Sequence, residues 1–343
     1  MKLMKRKWGV WLIVSFFFFL SADNAWAGLP RLFASVRGTR PEDSPPSSSW
    51  NDDVKTIFFT TAEEGTPLQM RDLLKNGAKI DERDGEGNTA LILAAAANPN
   101  PEMIQVLIEA KADVHARNEN ELNPMMAAAE GNTNPAVAAE LVKAGASLDE
   151  RGTSQTTPLL SSVFVNPNPA VILELIRLGA DVNLTNKDGT TPLMAACFEN
   201  RGPEVIEALL KAGADVDAKN LSGSTALAFA AGMSNDLKSI DLLIAAGADV
   251  NAPNNRGQTP LHYAMRGEGK SGVVSLLIEA GADVNVSDEN GTTPLIAAAR
   301  GRVDAKTVKL LRDAGAKLDA KDREGRTALD IAKQTKGAVE LYD

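Results

Sequence analysis

The sequence predicts an all-α solenoid of about eight to nine helix-turn-helix units, capping units included, with a hairpin-like finger projecting between neighbours. Three observations predict it: two motifs that recur every 34 residues, helix-starting residues at the head of each unit, and a leucine that returns at the same interval. A fixed period of this length is typical of a stacked repeat array. The opening motif, Thr-Pro-Leu in its full form, begins at Thr89, Asn123, Thr157, Thr191, Thr225, Thr259, Thr293 and Thr327.

The opening motif is predicted to start the first helix of each unit. A Thr side chain at the N-cap accepts from an otherwise unpaired backbone N–H, and Pro at the next position has a helical φ and no N–H to lose. The helix that follows is short and rich in alanine, as at 94–96, 127–129 and 297–299. Alanine favours helix, and its small side chain lets neighbouring units approach closely.

The second helix of each unit begins by the same chemistry and buries one stripe. Its predicted starts are Asn100, Asn134, Asn168, Gly202, Asp236 and Asp304. A leucine and a β-branched residue three positions before it share a helix face, which predicts burial of that face. The leucines are Leu73, Leu107, Leu141, Leu175, Leu209, Leu243, Leu277 and Leu311, and the preceding residues are Ile104, Ile172, Ile206, Ile240, Val274 and Val308.

A glycine follows the second helix in most units, where a left-handed residue commonly ends a helix. These glycines are Gly77, Gly145, Gly179, Gly213, Gly247, Gly281 and Gly315. Lys111 takes this place in one unit, at a cost on the order of 1–3 kcal/mol if the left-handed geometry is kept. Glu121 and Gln155 replace the glycine of the finger, so the units at 87–154 are predicted to be locally strained.

The fingers are predicted from polar turn residues between the units, as at 186–189 and 288–291. Asp188, Asp288 and Asp322 stand in fingers and resemble metal ligands or paired catalytic carboxylates. Aspartates in turns more often accept hydrogen bonds from their own backbone, and that role is predicted here.

The motifs divide the chain into three parts. Residues 1–27 are predicted to be a signal peptide, 28–50 a flexible Pro/Ser-rich leader, and 51–343 the repeat domain. The domain is predicted to consist of an N-terminal capping unit at 53–86, units at 87–120, 121–154, 155–188, 189–222, 223–256, 257–290 and 291–324, and a C-terminal cap at 325–343.

Residues 1–27 show the pattern of a secretory signal. Four basic residues lie between positions 2 and 7, an apolar run follows at 8–20, and Ala25 and Ala27 form an A-x-A cleavage site. The run spans roughly 20 Å, which is short of a hydrocarbon core of about 30 Å. We therefore predict that the signal is cleaved after Ala27 and does not stay as a membrane anchor. The mature chain is predicted to be exported to the periplasm or the medium, without inserting into a membrane.

The composition argues against nucleic-acid binding and against a fold held by disulfides. Removing residues 1–27 takes away four basic side chains and one acidic one, which changes the formal net charge from −9 to −12. An acidic chain of this kind opposes nucleic-acid binding, which depends on clustered Lys and Arg. Cys197 is the single cysteine and cannot form an internal disulfide, so the fold must be held by its core.

No arrangement of catalytic or metal-binding residues is predicted. Cys197 and His262 are two units apart, roughly 20 Å at 8–10 Å per helix, whereas proton transfer needs about 3 Å. Cys197 is predicted to fill a slot for a small residue. His115 stands alone on a loop, so two histidines and one cysteine cannot form a zinc site. No cofactor is predicted.

The repeats resemble those of the ankyrin family from about Asp53 to the C-terminus. The stretches 189–193 (GTTPL), 257–262 (GQTPLH) and 247–251 (GADVN) are close to the family pattern, with a period of 34 rather than the usual 33. The resemblance implies that His262 makes a structural hydrogen bond between repeats. It also implies that a partner protein lies along the concave side, against the finger tips and the exposed face of the first helices.

That exposed face is predicted to carry large apolar residues over consecutive units, flanked by arginine, because positions three or four apart on a helix project together. Aromatic residues with Arg are typical of interface hot spots. The alternative is that these side chains fill the core where alanine is too small. The predicted partner-binding residues are Phe164, Val165, Phe198, Phe229, Met233, Tyr263, Arg266 and Arg300.

The leading hypothesis is a monomeric, non-enzymatic scaffold or adaptor that binds another protein in the periplasm. Two alternatives remain open: an inhibitor or immunity-type protein that neutralises an exported enzyme or toxin, and a secreted effector. An enzyme would need a domain outside the array, and the 28–50 leader is too short to supply one.

Overall fold

The computed structural model describes residues 52–301 and 303–335, and the predicted signal peptide (1–27) and leader (28–50) lie outside these ranges. The described residues form seventeen α-helices and one short 3-10 helix, Thr153–Gln155, without a strand among them. The α-helices are α1 Asp52–Glu64, α2 Pro67–Lys75, α3 Ala90–Ala97, α4 Pro101–Glu109, α5 Pro124–Gly131, α6 Ala136–Lys143, α7 Pro158–Val165, α8 Pro169–Leu178, α9 Pro192–Phe198, α10 Pro203–Lys211, α11 Ala226–Met233, α12 Leu237–Ala245, α13 Pro260–Ala264, α14 Ser271–Glu279, α15 Pro294–Arg300, α16 Ala305–Asp313 and α17 Ala328–Thr335.

The helices pack in two rows. Each odd-numbered helix contacts the odd-numbered helices before and after it, and each even-numbered helix does the same in its own row. The two helices of a unit also contact each other across their turn. This arrangement is the predicted all-α solenoid. No helix in the described ranges is long and apolar enough to cross a bilayer.

The first helices begin where the opening motif predicts. The side chains of Thr89, Asn123, Thr157, Thr191, Thr225 and Thr293 each accept from the backbone N–H three residues on. Losing one such cap typically costs about 1 kcal/mol. The same six-fold repetition explains why the motif, rather than any single residue, positions every first helix in register.

The starts of the second helices are also confirmed in most units. Asn100, Asn168, Asp236 and Asp304 cap their helices through the side chain, whereas Gly202 has no side chain to do so. In the unit at 121–154, Asn134 accepts from the Ala136 N–H at 3.0 Å. The predicted leucine stripe is buried at seven of its eight positions, and Leu73 is half-buried because α2 lies at the end of the row.

The closing glycines are left-handed as predicted, with φ near +90°, and Lys111 keeps this geometry at φ +70°. Glu121 and Gln155 are left-handed in the finger at +62° and +59°. Ser154 joins them at +58° within the region 87–154 predicted to be strained, and Gln155 lies one residue beyond that region. Arginines partly offset the strain, since Arg117 donates to the Glu121 carbonyl at 2.9 Å and Arg151 to that of Gln155 at 3.3 Å.

Most fingers are held by the side chain of one Asp or Asn, except the finger at 152–156, where Gly152 takes that position, and successive fingers are joined through the backbone. In the last two fingers, Asp288 and Asp322 accept from the N–H groups two and four residues on, as predicted. Asp188 does not have this role, because Asn186 occupies the equivalent repeat position and accepts both bonds. Successive fingers are linked by single backbone bonds, Glu119 to Glu86, Lys187 to Ser154, Leu221 to Asp188, Asn255 to Ser222, Glu289 to Arg256 and Arg323 to Asn290.

The turns between the two helices of a unit carry a row of buried amides, Asn98, Asn132 and Asn166, here called the amide row. Asn132 donates to the carbonyls of Ala95 and Asn98 at 2.9 and 2.8 Å. Asn166 repeats both bonds one unit later, to Ala129 and Asn132. The amide row therefore ties the turns of the first four units together.

In later units, charged side chains one or two residues beyond the equivalent repeat position donate to the turn carbonyls instead. Arg201 donates to the carbonyls of Val163 and Asn166, the second at 2.9 Å. Two units on, Lys270 is 4% exposed and donates to the Ser234 carbonyl at 2.6 Å. Burial lowers the pKa of this ammonium group.

Candidate protein-interaction surface

The most prominent apolar exposure lies at the ends of three consecutive first helices. Val165, Phe198 and Met233 are the last residues of α7, α9 and α11, and they are 41%, 43% and 48% exposed. These half-exposed side chains at the ends of adjacent helices form one continuous surface, because first helices of neighbouring units pack side by side. We call this surface, with the residues beside it on α5 and α13, the first-helix face.

Exposed large apolar side chains concentrate in the same three units. Among the described residues they are Ile57, Leu68, Val165, Phe198, Leu221, Met233, Leu237 and Leu318, and five of these eight lie between residues 155 and 256. Sequence reasoning missed Leu221, which is 72% exposed at a finger tip, and Leu237 at the start of α12. The exposure of Leu221 could have been predicted because it is the one apolar residue in an otherwise polar finger.

A row of aromatic rings begins at the exposed Phe198 and continues through the half-buried Phe229 to the buried Tyr263. The ring centroids of Phe198 and Phe229 are 5.8 Å apart and those of Phe229 and Tyr263 are 6.4 Å apart, both edge to face. The Arg266 guanidinium lies 4.1 Å from the Tyr263 ring centre. An edge-to-face ring contact and a cation over a ring each contribute about 1 kcal/mol. These contacts therefore hold the aromatic side chains of the face in fixed positions.

The predicted partner-binding residues differ in how far they reach solvent. Phe164 and Phe229 are half-buried, and Tyr263 is 5% exposed. The Tyr263 hydroxyl lies 2.7 Å from the Ser224 hydroxyl and accepts from the Asn254 amide at 3.0 Å. Tyr263 therefore supports the surface from below.

The two arginines are both exposed but differ in their partners. Arg266 donates to the Gln258 side chain at 2.7 Å and forms no ion pair with a described residue. Arg300 lies 2.6 Å from the buried carboxylate of Asp322. Burial alone would raise the pKa of Asp322, but hydrogen bonds from Arg326 and the charge of Arg326 lower it to about 2. Arg300 is thus already paired with an acid, whereas Arg266 is not.

The residues considered for catalysis lie in structural positions. Burial raises the pKa of the Cys197 thiol to about 12, so it remains protonated at neutral pH. His262 Nδ1 accepts from the Thr259 N–H at 3.2 Å, and Nε2 donates to the Thr292 carbonyl at 2.9 Å. This second bond is the predicted link between repeats. Burial lowers the His262 pKa, which keeps the ring neutral in this arrangement.

His115 lies elsewhere, with Nδ1 3.0 Å from a carboxylate oxygen of Glu150. Within the described ranges, no three side chains of the metal-ligating types converge on one point.

Comparison with known families agrees with this architecture. A family model described as ankyrin repeats (three copies) matches residues 58–152, 159–254, 199–288 and 268–341. No curated protein matches the chain.

Proposed function

Because the chain belongs to the ankyrin repeat family, whose repeats act as protein-interaction modules, we propose that it is a non-enzymatic scaffold or adaptor that binds a partner protein on its first-helix face. We further propose that it acts as a monomer in the periplasm or outside the cell. The signal pattern of residues 1–27 supports the second part of the proposal.

The observation that carries the proposal is the exposure of Val165, Phe198 and Met233 over a packed base. Each side chain is already about half buried, so covering the rest of it contributes roughly 1 kcal/mol. The aromatic row holds Phe198 in place, and a side chain that is ordered beforehand loses little entropy on binding. Leu221 adds a fourth apolar group whose backbone is bonded to both neighbouring fingers.

The proposal that it lacks catalytic activity rests on the positions of its reactive groups. Cys197 fills the core of α9, and both nitrogens of His262 are bonded within the array. Both therefore contribute to packing between units.

The test is crosslinking in cells followed by affinity capture and mass spectrometry. Wild type is compared with a variant carrying Val165→Ala, Phe198→Ala and Met233→Ala, and with a control carrying Ile57→Ala, Leu68→Ala and Leu318→Ala. The control removes the same kind of exposed apolar group outside the face. We expect at least one partner to be lost from the first variant and retained by the control. Equal recovery of every partner from all three proteins would contradict the proposed surface.

The same material separates the two alternatives. An inhibitor or immunity-type role requires that a captured enzyme or toxin lose activity when the purified chain is added. A secreted effector must be found in the medium rather than the periplasm when the cells are fractionated.

A further inference from the structure

Two acidic residues lie within the first-helix face. Positions 34 residues apart are equivalent in neighbouring units, so Glu130 precedes Phe164 and Phe198 in one line, and Glu199 stands between Val165 and Met233 in the adjacent line. Glu130 is half-buried near the end of α5, and Glu199 directly follows α9. Each acid therefore occupies a repeat position that carries large apolar side chains in neighbouring units.

These two acids differ from the acids of the second helices in the same three units. On that row, Glu140 pairs with Lys143, Glu174 with Arg177, and Glu207 with Lys211, each at 2.6 Å. No basic side chain among the described residues forms an ion pair with Glu130 or Glu199. Arg201 is close to Glu199 in sequence, but its Nε and one Nη donate to backbone carbonyls.

Both carboxylates have lost part of their hydration, although Glu130 is half-buried and Glu199 is exposed. Desolvation raises the pKa of Glu130, opposed by a hydrogen bond from Ser161, and it raises the pKa of Glu199, opposed by the charge of Arg201. A carboxylate that has lost part of its hydration gains most from an incoming cation, because the surroundings screen the attraction less than water does.

The side chains around the two acids suit the stem of a basic residue as well as its charge. Lys and Arg lay their methylene groups along apolar surface while the charged head stays polar, and a guanidinium or ammonium group also binds the face of an aromatic ring. Phe198, Val165 and Met233 offer that apolar surface beside Glu199. At the other end of the face, Arg266 repels a cation and attracts an acid.

We propose that the partner presents a segment with a Lys or Arg flanked by apolar residues, which places its charged group on Glu199 or Glu130 and its apolar neighbours on Val165, Phe198 and Met233. This rests on the proposed function, since it specifies the chemistry of the partner at the same surface. The two acids are two units apart, roughly 16–20 Å at 8–10 Å per helix. An extended segment spans this distance with about five or six residues, so a second basic residue at that spacing reaches the second acid.

The experiment is selection from a displayed library of random twelve-residue peptides, carried out on the full repeat domain. Wild type is compared with the double variant Glu130→Gln/Glu199→Gln and with a control, Glu174→Gln/Glu207→Gln, which removes the same charge from acids that are already paired. Glutamine keeps the shape of glutamate, and the surface ion pairs lost in the control contribute little to stability, so neither variant is expected to unfold. Phe198→Asp serves as the variant that disables the face itself.

We expect wild type and the control to enrich peptides with Lys or Arg between apolar residues. A single selected peptide is expected to bind the Glu130/Glu199 variant about tenfold more weakly, because a charge-assisted bond is lost. Peptides that depend on Phe198 but carry no basic residue, or that bind the double variant equally well, would overturn this inference while leaving the proposed function intact. If no selected peptide depends on Phe198, the proposed surface fails and the inference fails with it.

Discussion

The N-terminal units (residues 53–188) and the C-terminal units (residues 189–324) have the same backbone arrangement but are held together by different chemistry. In the N-terminal units, neutral amides repeat at Asn98, Asn132 and Asn166, and each ties a turn to the unit before it. In the C-terminal units, the charged side chains of Arg201 and Lys270 donate to backbone carbonyls of the turns instead. The buried carbonyls of such a turn need a hydrogen-bond donor, and any side chain long enough to reach them can provide it.

The two regions also differ in their first helices and in their strain. The aromatic row belongs to the C-terminal units, where Phe229 and Tyr263 replace the alanine or serine found at the same position in the preceding three units. The N-terminal units contain four of the five non-glycine residues that have a positive φ in the described part of the chain. They combine strained positions with neutral amide donors in the turns between helices, whereas the C-terminal units combine relaxed glycines with cationic donors in those turns. Local stability should therefore respond to different perturbations in the two regions.

The largest expected effect is the loss of one link in the amide row. Asn132→Ala leaves the carbonyls of Ala95 and Asn98 buried without their donor and also removes the acceptor for the Asn134 N–H. An unsatisfied buried polar group costs about 1–3 kcal/mol, so we expect a loss of at least about 3 kcal/mol in the free energy of unfolding. Denaturant titration measures the loss, and hydrogen exchange should locate it in residues 53–188.

The matched control is Asn285→Ala. Asn285 also donates from its amide to the carbonyl of the next unit, that of Gly315 at 3.0 Å, but this bond is exposed to solvent. Water replaces an exposed bond, so the expected loss is about 1 kcal/mol or less. Equal losses from the two variants would show that burial of the amide row is not what distinguishes the N-terminal units.

The second expected effect is a pH response confined to the C-terminal units. Burial lowers the pKa of His262 below its ordinary value near 6.5, so the unfolded chain binds a proton there more readily than the folded one. Stability at this residue is therefore lost as pH falls below about 6.5, by up to about 1.4 kcal/mol per pH unit, until the folded pKa is reached.

Hydrogen exchange of residues 257–324 at pH 7 and pH 5.5 measures this response. Other groups titrate over the same range, so the informative quantity is the difference between wild type and His262→Gln, which carries no titrating ring. The difference should vanish in residues 53–188. An identical pH response in wild type and in this variant would remove His262 as its cause.

Local chemistry could be predicted from the sequence, and long-range orientation could not. The Thr-Pro starts and the buried leucines follow from neighbours within one turn of helix, which a sequence displays directly. Tyr263 was predicted at the surface, yet it turns inward because Ser224 and Asn254, from two other parts of the array, bond its hydroxyl. The donor roles of Arg201 and Lys270 are equally hidden, since their acceptors lie about 35 residues earlier in the chain.

The candidate site residues show the same difference between local features, which the sequence predicts, and long-range packing, which it does not. Val165, Phe198 and Met233 are exposed because each ends a first helix, where no further turn covers it. Phe229 lies four residues before Met233 on the same helix and is half-buried, because rings from both neighbouring units pack against it. Spacing predicts which residues share a helix face, but the depth of each depends on the size of the residue opposite it in the next unit.

The smallest expected effect tests the strain that separates the two regions. Lys111 is exposed and left-handed at φ +70°, where Gly281 stands in the equivalent position of a C-terminal unit at φ +93°. Glycine adopts this conformation without steric cost, so Lys111→Gly should stabilise the N-terminal units by about 1 kcal/mol. Gly281→Ala should destabilise by a similar amount, and open space around its Cβ means that the cost is conformational rather than steric crowding. Thermal unfolding of the two variants measures both signs. If Lys111→Gly lowers the melting temperature, the lysine is not strained, and the contrast between the two regions reduces to their hydrogen-bond donors and aromatic packing.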